Sequence, residues 1–151
     1  MSPQHEKRPT AEDVVRLARG WIGTPYHHQA SLRGVGSDCL GLVRGVWRDL
    51  YRCEAEMAPR YTRDWAEASG RETMLEAARR HMIEKPLTDA AAGDVVVFRL
   101  RDGAVAKHAG VLTGPDAMIH AQEGAPAAEV ALGRWWKRRI AGVFAFPGVG
   151  S

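Results

Sequence analysis

The sequence predicts an α+β domain with N-terminal helices packed on a C-terminal antiparallel β-sheet. Apolar residues in the first half recur at three- and four-residue steps, the period of an amphipathic helix. After Pro86 the texture changes to short β-branched and aromatic runs separated by Gly, Pro and Asp. Helices first and strands afterwards favour segregated layers over alternating βαβ units. A chain of 151 residues with 45% hydrophobic residues suits one domain with an ordinary core, read as a polar tail over 1–10 and a single domain over 11–148.

Each element has its own signal. Thr10 with Asp13 three residues later reads as a capping box, and Val14, Val15, Leu17, Ala18, Trp21 and Ile22 form the stripe of a helix over 11–20. GTPYHHQASLRGVGSD then reads as a loop of about 16 residues, longer than the usual 2–6, and long ordered loops tend to carry function. From Asp38 a helix resumes through Leu40, Val43, Trp47 and Leu50, its apolar face widened by Cys39, Leu42 and Val46. Gly41 and Gly45 cost helix propensity but clear one stripe for close backbone approach. A third helix is expected within 63–83, from Trp65, Met74, Leu75, Ala78 and Met82. Gly93 and Asp94 lead into VVVFRL, Arg101, Asp102 and Gly103 form a turn, KHAGVLTG and AMIHAQEG flank Gly114 and Pro115, and IAGVFAF closes the chain. This reads as a meander of short antiparallel strands, with no internal repeat or linker.

Composition excludes more than it assigns. A formal net charge of +3 is met by a solvated basic surface and does not point to nucleic acid. No apolar run approaches the roughly 20 residues that span a bilayer, and MSPQHEKRPTAED lacks the apolar stretch of a signal peptide. The expectation is a chain made in the cytoplasm without a signal peptide and not inserted in a membrane. Cys39 and Cys53 form at most one bridge, which a cytosolic chain of this size does not need.

Ser37 or Asp38 is a good N-cap, which places Cys39 in the first helical turn. Unpaired N–H groups and the helix dipole there favour a thiolate, so the expectation is a lowered thiol pKa and a nucleophile. The plain alternative is a small core residue. Six histidines are candidates for its base. His5 lies in the polar tail, His81 ends a charged helix, and His27 and His28 occupy the loop, lining a cleft or simply solvated. His108 and His120 each lie within a short apolar strand. In a hairpin centred on Gly114 they stand opposite one another, about 5 Å apart on one face. A two- or four-residue loop breaks that pairing unless a bulge restores it, and sequence does not fix the parity.

Cys39, His108 and His120 thus supply a nucleophile, a base and a group to orient the base. The same three residues also suit zinc with a water, but no CxxC or HExxH spacing accompanies them, so no metal or other cofactor is expected. Cys53, in YRCEAEM, lacks the helix-start setting and reads as a spectator.

The ordered set GTPY, DCLGLV, GDVVVF, KHAGVL and MIHA resembles the NlpC family of cell-wall cysteine peptidases, a papain-like group, over about Trp21 to Phe146. In finer texture TPYHHQASLRGVGSDCLGLVRGVW, AVAKHAG and RWWKRRIAGVFAFP resemble the branch associated with phage and gene transfer agent tails. The resemblance implies Cys39 as nucleophile, His108 as base and His120 as the residue that orients it. It further implies Tyr26 at the oxyanion or substrate site and Asp38 as a contact of the bound stem peptide, although Tyr26 suits a buried loop anchor nearly as well. Leu40 stands where the family commonly has serine.

The implied substrate is a peptidoglycan stem peptide, cut between D-γ-glutamate and the diamino acid. The implied setting is a tail tip or baseplate hub protein, with action on the periplasmic cell wall. The N-terminal ten residues and the basic segment RWWKRR are the candidate docking segments. RWWKRR also fits an anionic wall polymer, or simply a strand with one indole in the core and one outside. Two other readings stay open: a non-catalytic structural tail module, and an intracellular acyltransferase or amidase using the same triad.

Overall fold

The computed structural model describes residues 8–55 and 72–150. Most of the N-terminal tail, with His5, and the first part of the expected third helix, with Trp65, lie outside the described residues.

Helix α1, Ala11–Arg19, begins at the expected capping box: Thr10 Oγ1 accepts the Asp13 N–H at 3.2 Å and the Asp13 carboxylate accepts the Thr10 N–H at 2.9 Å. Val14, Val15 and Ala18 face the core, whereas Ile22 falls beyond the helix and is 46% exposed. The long loop is not featureless. It holds a small antiparallel hairpin, β1 (Ser31–Leu32) with β2 (Gly36–Ser37), which packs against the next helix. Helix α2, Cys39–Tyr51, is capped by Asp38 and ends at Arg52 in the left-handed region, with φ 60°. Helix α3, Thr73–His81, buries Met74 and Leu75.

Six strands follow: β3 (Ile83–Lys85), β4 (Val95–Phe98), β5 (His108–Gly114), β6 (Ala117–His120), β7 (Ala128–Ala131) and β8 (Ile140–Ala145). They form one sheet in the order β3-β8-β4-β5-β6-β7, with every neighbouring pair antiparallel. The α+β expectation is met, but the meander holds only from β4 to β7. Strand β8 crosses back and inserts between β3 and β4. Val143 and Phe144 explain the return, since both are essentially fully buried and such a strand needs a neighbour on each side, which the β7 edge does not offer.

Alternation divides the core. Val95 and Val97 join Val14, Ala18, Trp21, Leu42, Val46, Ala109, Val111 and Ile119 under the helices. Val96 and Phe98 join Leu112, Met118, Leu132 and Val143 in a second cluster, which Trp136 and Ile140 flank. RWWKRR is not in a strand as expected. Arg134–Lys137 form a single helical turn, α4, from which Trp136 packs inward while Trp135 is 50% exposed. The one-in, one-out division survives because adjacent positions on a helical turn also diverge.

The two helix glycines are explained by contact. A Cβ at Gly41 would lie 1.9 Å from the Ala30 carbonyl oxygen, and one at Gly45 would lie 1.9 Å from Cζ2 of Trp21. Gly41→Ala gains up to about 1 kcal/mol of helix propensity. The clash with main chain, which has no flexible end to swing away, outweighs it at about 1–3 kcal/mol or more. Gly41→Ala is therefore expected to lower stability in urea denaturation despite improving helix propensity. An unchanged or raised midpoint would refute the packing account.

Candidate active site

Asp38 organises the entrance to α2. Its Oδ1 accepts the Gly41 N–H at 2.7 Å, the N-cap bond, and its Oδ2 accepts the Gln29 N–H at 2.8 Å. The carboxylate is 3% exposed and so pins the hairpin loop to the start of the helix. Gln29 accepts a left-handed φ of 63° to make that contact. The main chain of Tyr26 bridges Ser37 in parallel fashion, which anchors the TPY segment two residues before the cysteine, and its ring packs half-buried at the helix-side core.

Cys39 opens α2 as expected, and its Sγ meets the main chain at the start of β5, on both sides of His108. The thiol lies 3.7 Å from the Lys107 carbonyl oxygen, and the Ala109 N–H is directed at the sulfur. The expectation of a lowered thiol pKa fails. Burial, followed by the negative charge of Asp38, pushes the Cys39 thiol up to about 12, and the N–H groups of Ala109, Leu40 and Cys39 offset only part of this. Sequence reasoning counted the helix dipole as favourable to thiolate and left out the capping carboxylate that comes with it.

The two strand histidines meet. His108 Nε2 lies 2.7 Å from His120 Nδ1, the rings stand nearly perpendicular at 87° with centroids 5.0 Å apart, and both residues are buried. The route differs from the expected one. The β5–β6 register pairs Val111 with Ile119 and Leu112 with Met118, then shifts so that Gly114 faces Ala117 across a two-residue turn. Continued by one residue, that register sets Gly110, not His108, across from His120. The bulge at Thr113 keeps the parity even, so His108 is a same-face diagonal neighbour and its long ring closes the gap.

Because Nε2 of His108 is engaged with His120, Nδ1 is its remaining ring nitrogen. In a neutral pair one of the two bonded nitrogens donates and the other accepts. Burial, then the neighbouring His120, lowers the His108 pKa to about 3, and burial lowers that of His120. The resting pair is thus thiol and neutral imidazole. Phe98 and Trp136 wall the rings: Phe98 lies 5.9 Å from His108, while Trp136 stacks on His108 at 5.4 Å and 27° and meets His120 edge-on at 5.2 Å and 86°. Trp136 is the site residue that sequence reasoning missed. Its signal was the adjacency of two tryptophans, of which one had to turn inward.

The remaining candidates stand apart. His27 is exposed and tied through its N–H to the Ser37 carbonyl at 3.1 Å, and His28 is half-buried. His81 sits edge-on to Trp47 at 6.2 Å, and Cys53 is exposed just past the α2 cap. Among the described residues no group of three His, Cys, Asp or Glu side chains is placed to hold a metal ion.

A cysteine at the mouth of a helix, set against the first of two neighbouring strands that each carry one of a buried histidine pair, defines the class of papain-like α+β cysteine peptidases. The family model of NlpC/P60 matches residues 23–144, and the chain belongs to that family. It is 26% identical over 129 residues to the gamma-D-glutamyl-L-lysine dipeptidyl-peptidase of Bacillus subtilis strain 168, covering 85% of this chain and 38% of that protein. The chain therefore spans well under half of the curated relative it matches. An NlpC/P60 family protein from Bacillus cereus ATCC 10987 superposes with a TM-score of 0.65 at 18% identity, over 91% of this chain and 40% of the other. The NlpC/p60 domain of the peptidoglycan hydrolase SagA superposes at 0.63 with 20% identity, over 91% of this chain and 99% of the other. At these identities the structural likeness is one of fold.

Two measurements follow from the electrostatics. In a Cys53→Ser background, the rate of Cys39 alkylation by iodoacetamide should keep rising with pH beyond pH 9, and Asp38→Asn should raise the rate at pH 7 by removing a charge that opposes thiolate. A rate already at plateau near neutrality would show a resting ion pair instead. For stability, folded His108 stays neutral down to about pH 3, whereas in the unfolded chain it protonates near 6.5. Below that value the unfolded state holds the extra proton, so the His108 contribution falls as pH drops from 6.5 towards 3. The urea midpoint should fall across that window, and less steeply in His108→Asn. Equal slopes in the two proteins would refute the assignment.

Proposed function

We propose that this chain is a peptidoglycan cysteine endopeptidase that cleaves stem peptides at the bond between D-γ-glutamate and the diamino acid. We further propose that a phage-like or gene transfer agent tail carries it to open the cell wall during DNA delivery. The observation that carries the catalytic reading is the Cys39 thiol against the main chain of β5, with His108 in the next position and hydrogen-bonded to His120. The bond preference is supported by the name of the Bacillus subtilis relative, a gamma-D-glutamyl-L-lysine dipeptidyl-peptidase. The tail setting is supported by the texture of TPYHHQASLRGVGSDCLGLVRGVW and RWWKRRIAGVFAFP. A tail-tip or baseplate hub is the partner in that setting.

Mechanism follows from the neutral resting pair. As the sulfur attacks the amide carbonyl, the thiol proton passes to His108 Nδ1, and the bond from His108 Nε2 to His120 holds the ring while it becomes charged. The Cys39 N–H, with Tyr26, stabilises the oxyanion. His108 then gives its proton to the departing amine nitrogen as the C–N bond breaks, which leaves a thioester. Water, deprotonated by His108, hydrolyses the thioester and restores the thiol. Asp38 serves through its two backbone bonds by holding the loop of the cleft, and a contact with the stem peptide is part of the proposal.

Mass spectrometry of stem peptides and sacculi digested by the wild-type protein, beside Cys39→Ala, tests the reading. Products cut at the γ-glutamyl bond are expected with wild type and absent with Cys39→Ala. No product from folded wild-type protein would favour a non-catalytic tail module, and amide transfer to an added amine without hydrolysis would favour an acyltransferase.

A further inference from the structure

Trp136 flanks the second core cluster and also packs on the histidine pair. Its indole lies nearly parallel to His108 and edge-on to His120, with Phe98 at 5.0 Å and Trp135 at 4.8 Å as further ring contacts, so it covers the hydrogen bond between the two histidines. The turn that carries it is fixed at both ends, by Asp116 and by Arg99. Lys137 Nζ meets Asp116 Oδ1 at 2.5 Å in the β5–β6 turn, the Leu132 N–H donates to the Asp116 carbonyl at 2.7 Å, and the Arg99 N–H donates to the Arg139 carbonyl at 2.9 Å. Arg139 also donates to the Trp135 carbonyl at 2.8 Å and lays its guanidinium over the Trp135 ring at 3.8 Å. A half-buried indole held this firmly restricts the rotation of the imidazole beneath it.

We propose that Trp136 is a positioning residue for catalysis: it fixes the ring plane and tautomer of His108 and keeps water from the His108–His120 hydrogen bond. The inference rests on the reading of His108 as the general base. Charge reaches His108 from few directions. His120 faces it from β6 and the Cys39 thiol lies against its own main chain, with Asp38 behind the thiol. Phe98 on β4 and Trp136 on α4 are uncharged. The cations nearby in sequence are engaged elsewhere, Arg99 with Glu72 at 2.6 Å, Lys137 with Asp116 and Arg139 on Trp135, while Lys107 precedes His108 in the chain. Loss of the indole admits water to a buried neutral imidazole, which favours its charged form.

The test compares wild type with Trp136→Ala, Trp136→Leu, which fills the hollow without an aromatic face, and Trp136→Phe, which keeps one. Imidazole nitrogen NMR reads the His108 tautomer and titration, and stem-peptide hydrolysis reads kcat and KM. In Trp136→Ala and Trp136→Leu the His108 titration should move up towards 6.5, and kcat should fall about 10- to 100-fold with KM within about twofold. Trp136→Phe should restore both. An unchanged tautomer and titration in Trp136→Leu, with any rate loss following thermal stability alone, would overturn the proposal. If wild type hydrolyses no stem peptide, the functional reading fails, while the NMR comparison still decides the role of Trp136.

Discussion

The hydrogen bond between two buried histidines, His108 Nε2 and His120 Nδ1 at 2.7 Å, is the constraint on which the site depends. Neither imidazole is cheap to bury unless its polar nitrogens find partners, and placing two cations there would cost far more than one shared bond returns. The pair is therefore neutral, and neutrality fixes direction. One ring must donate and the other accept, so the tautomer of His108 and the identity of its free nitrogen are decided together. The sheet serves this geometry through the bulge at Thr113, which keeps the two histidines on one face.

Asp38 imposes the opposing condition on the nucleophile. The helix start offers Cys39 several N–H groups, yet the residue that creates the start is an anion beside the thiol. The carboxylate cannot be dismissed as a surface group, because it is buried and its two oxygens hold Gly41 and Gln29. The result is a nucleophile whose local geometry suits a thiolate while its net field keeps the proton in place. In the mechanism proposed above, charge develops only as the sulfur attacks, when the oxyanion and the imidazolium appear together and partly offset one another.

Much of this was legible in the sequence, and the parts that were not share a cause. The capping box at Thr10, the helix beginning at Cys39 and the contact-making role of Gly41 depend on neighbours within four residues or on the absence of a side chain, which sequence displays directly. The turn at Gly103, with φ 75°, was readable for the same reason. Hairpin parity was not readable, since Thr113, Gly114, Pro115 and Asp116 are compatible with more than one loop length. Nor was the return of β8 beside β4, which depends on how all the strands share their edges. The thiol pKa was missed because local reasoning weighed the dipole without desolvation, a property of the assembled protein.

Trp136 shows how a distant segment completes a site whose chemistry lies elsewhere in the chain. The short turn α4 has no side-chain cap and too few residues to be stable alone. It is helical because both ends are tied down: Lys137 and Leu132 reach Asp116, and Arg139 reaches residues 99 and 100. Asp116 belongs to the same two-residue turn that sets the register of His120, so one turn fixes both the histidine pair and the indole that covers it. A change in the length of that turn would displace the bulge and the anchor of α4 together. The register of the sheet and the environment of His108 thus depend on one turn, and the geometry of the histidine pair is only as well defined as the β5–β6 hairpin.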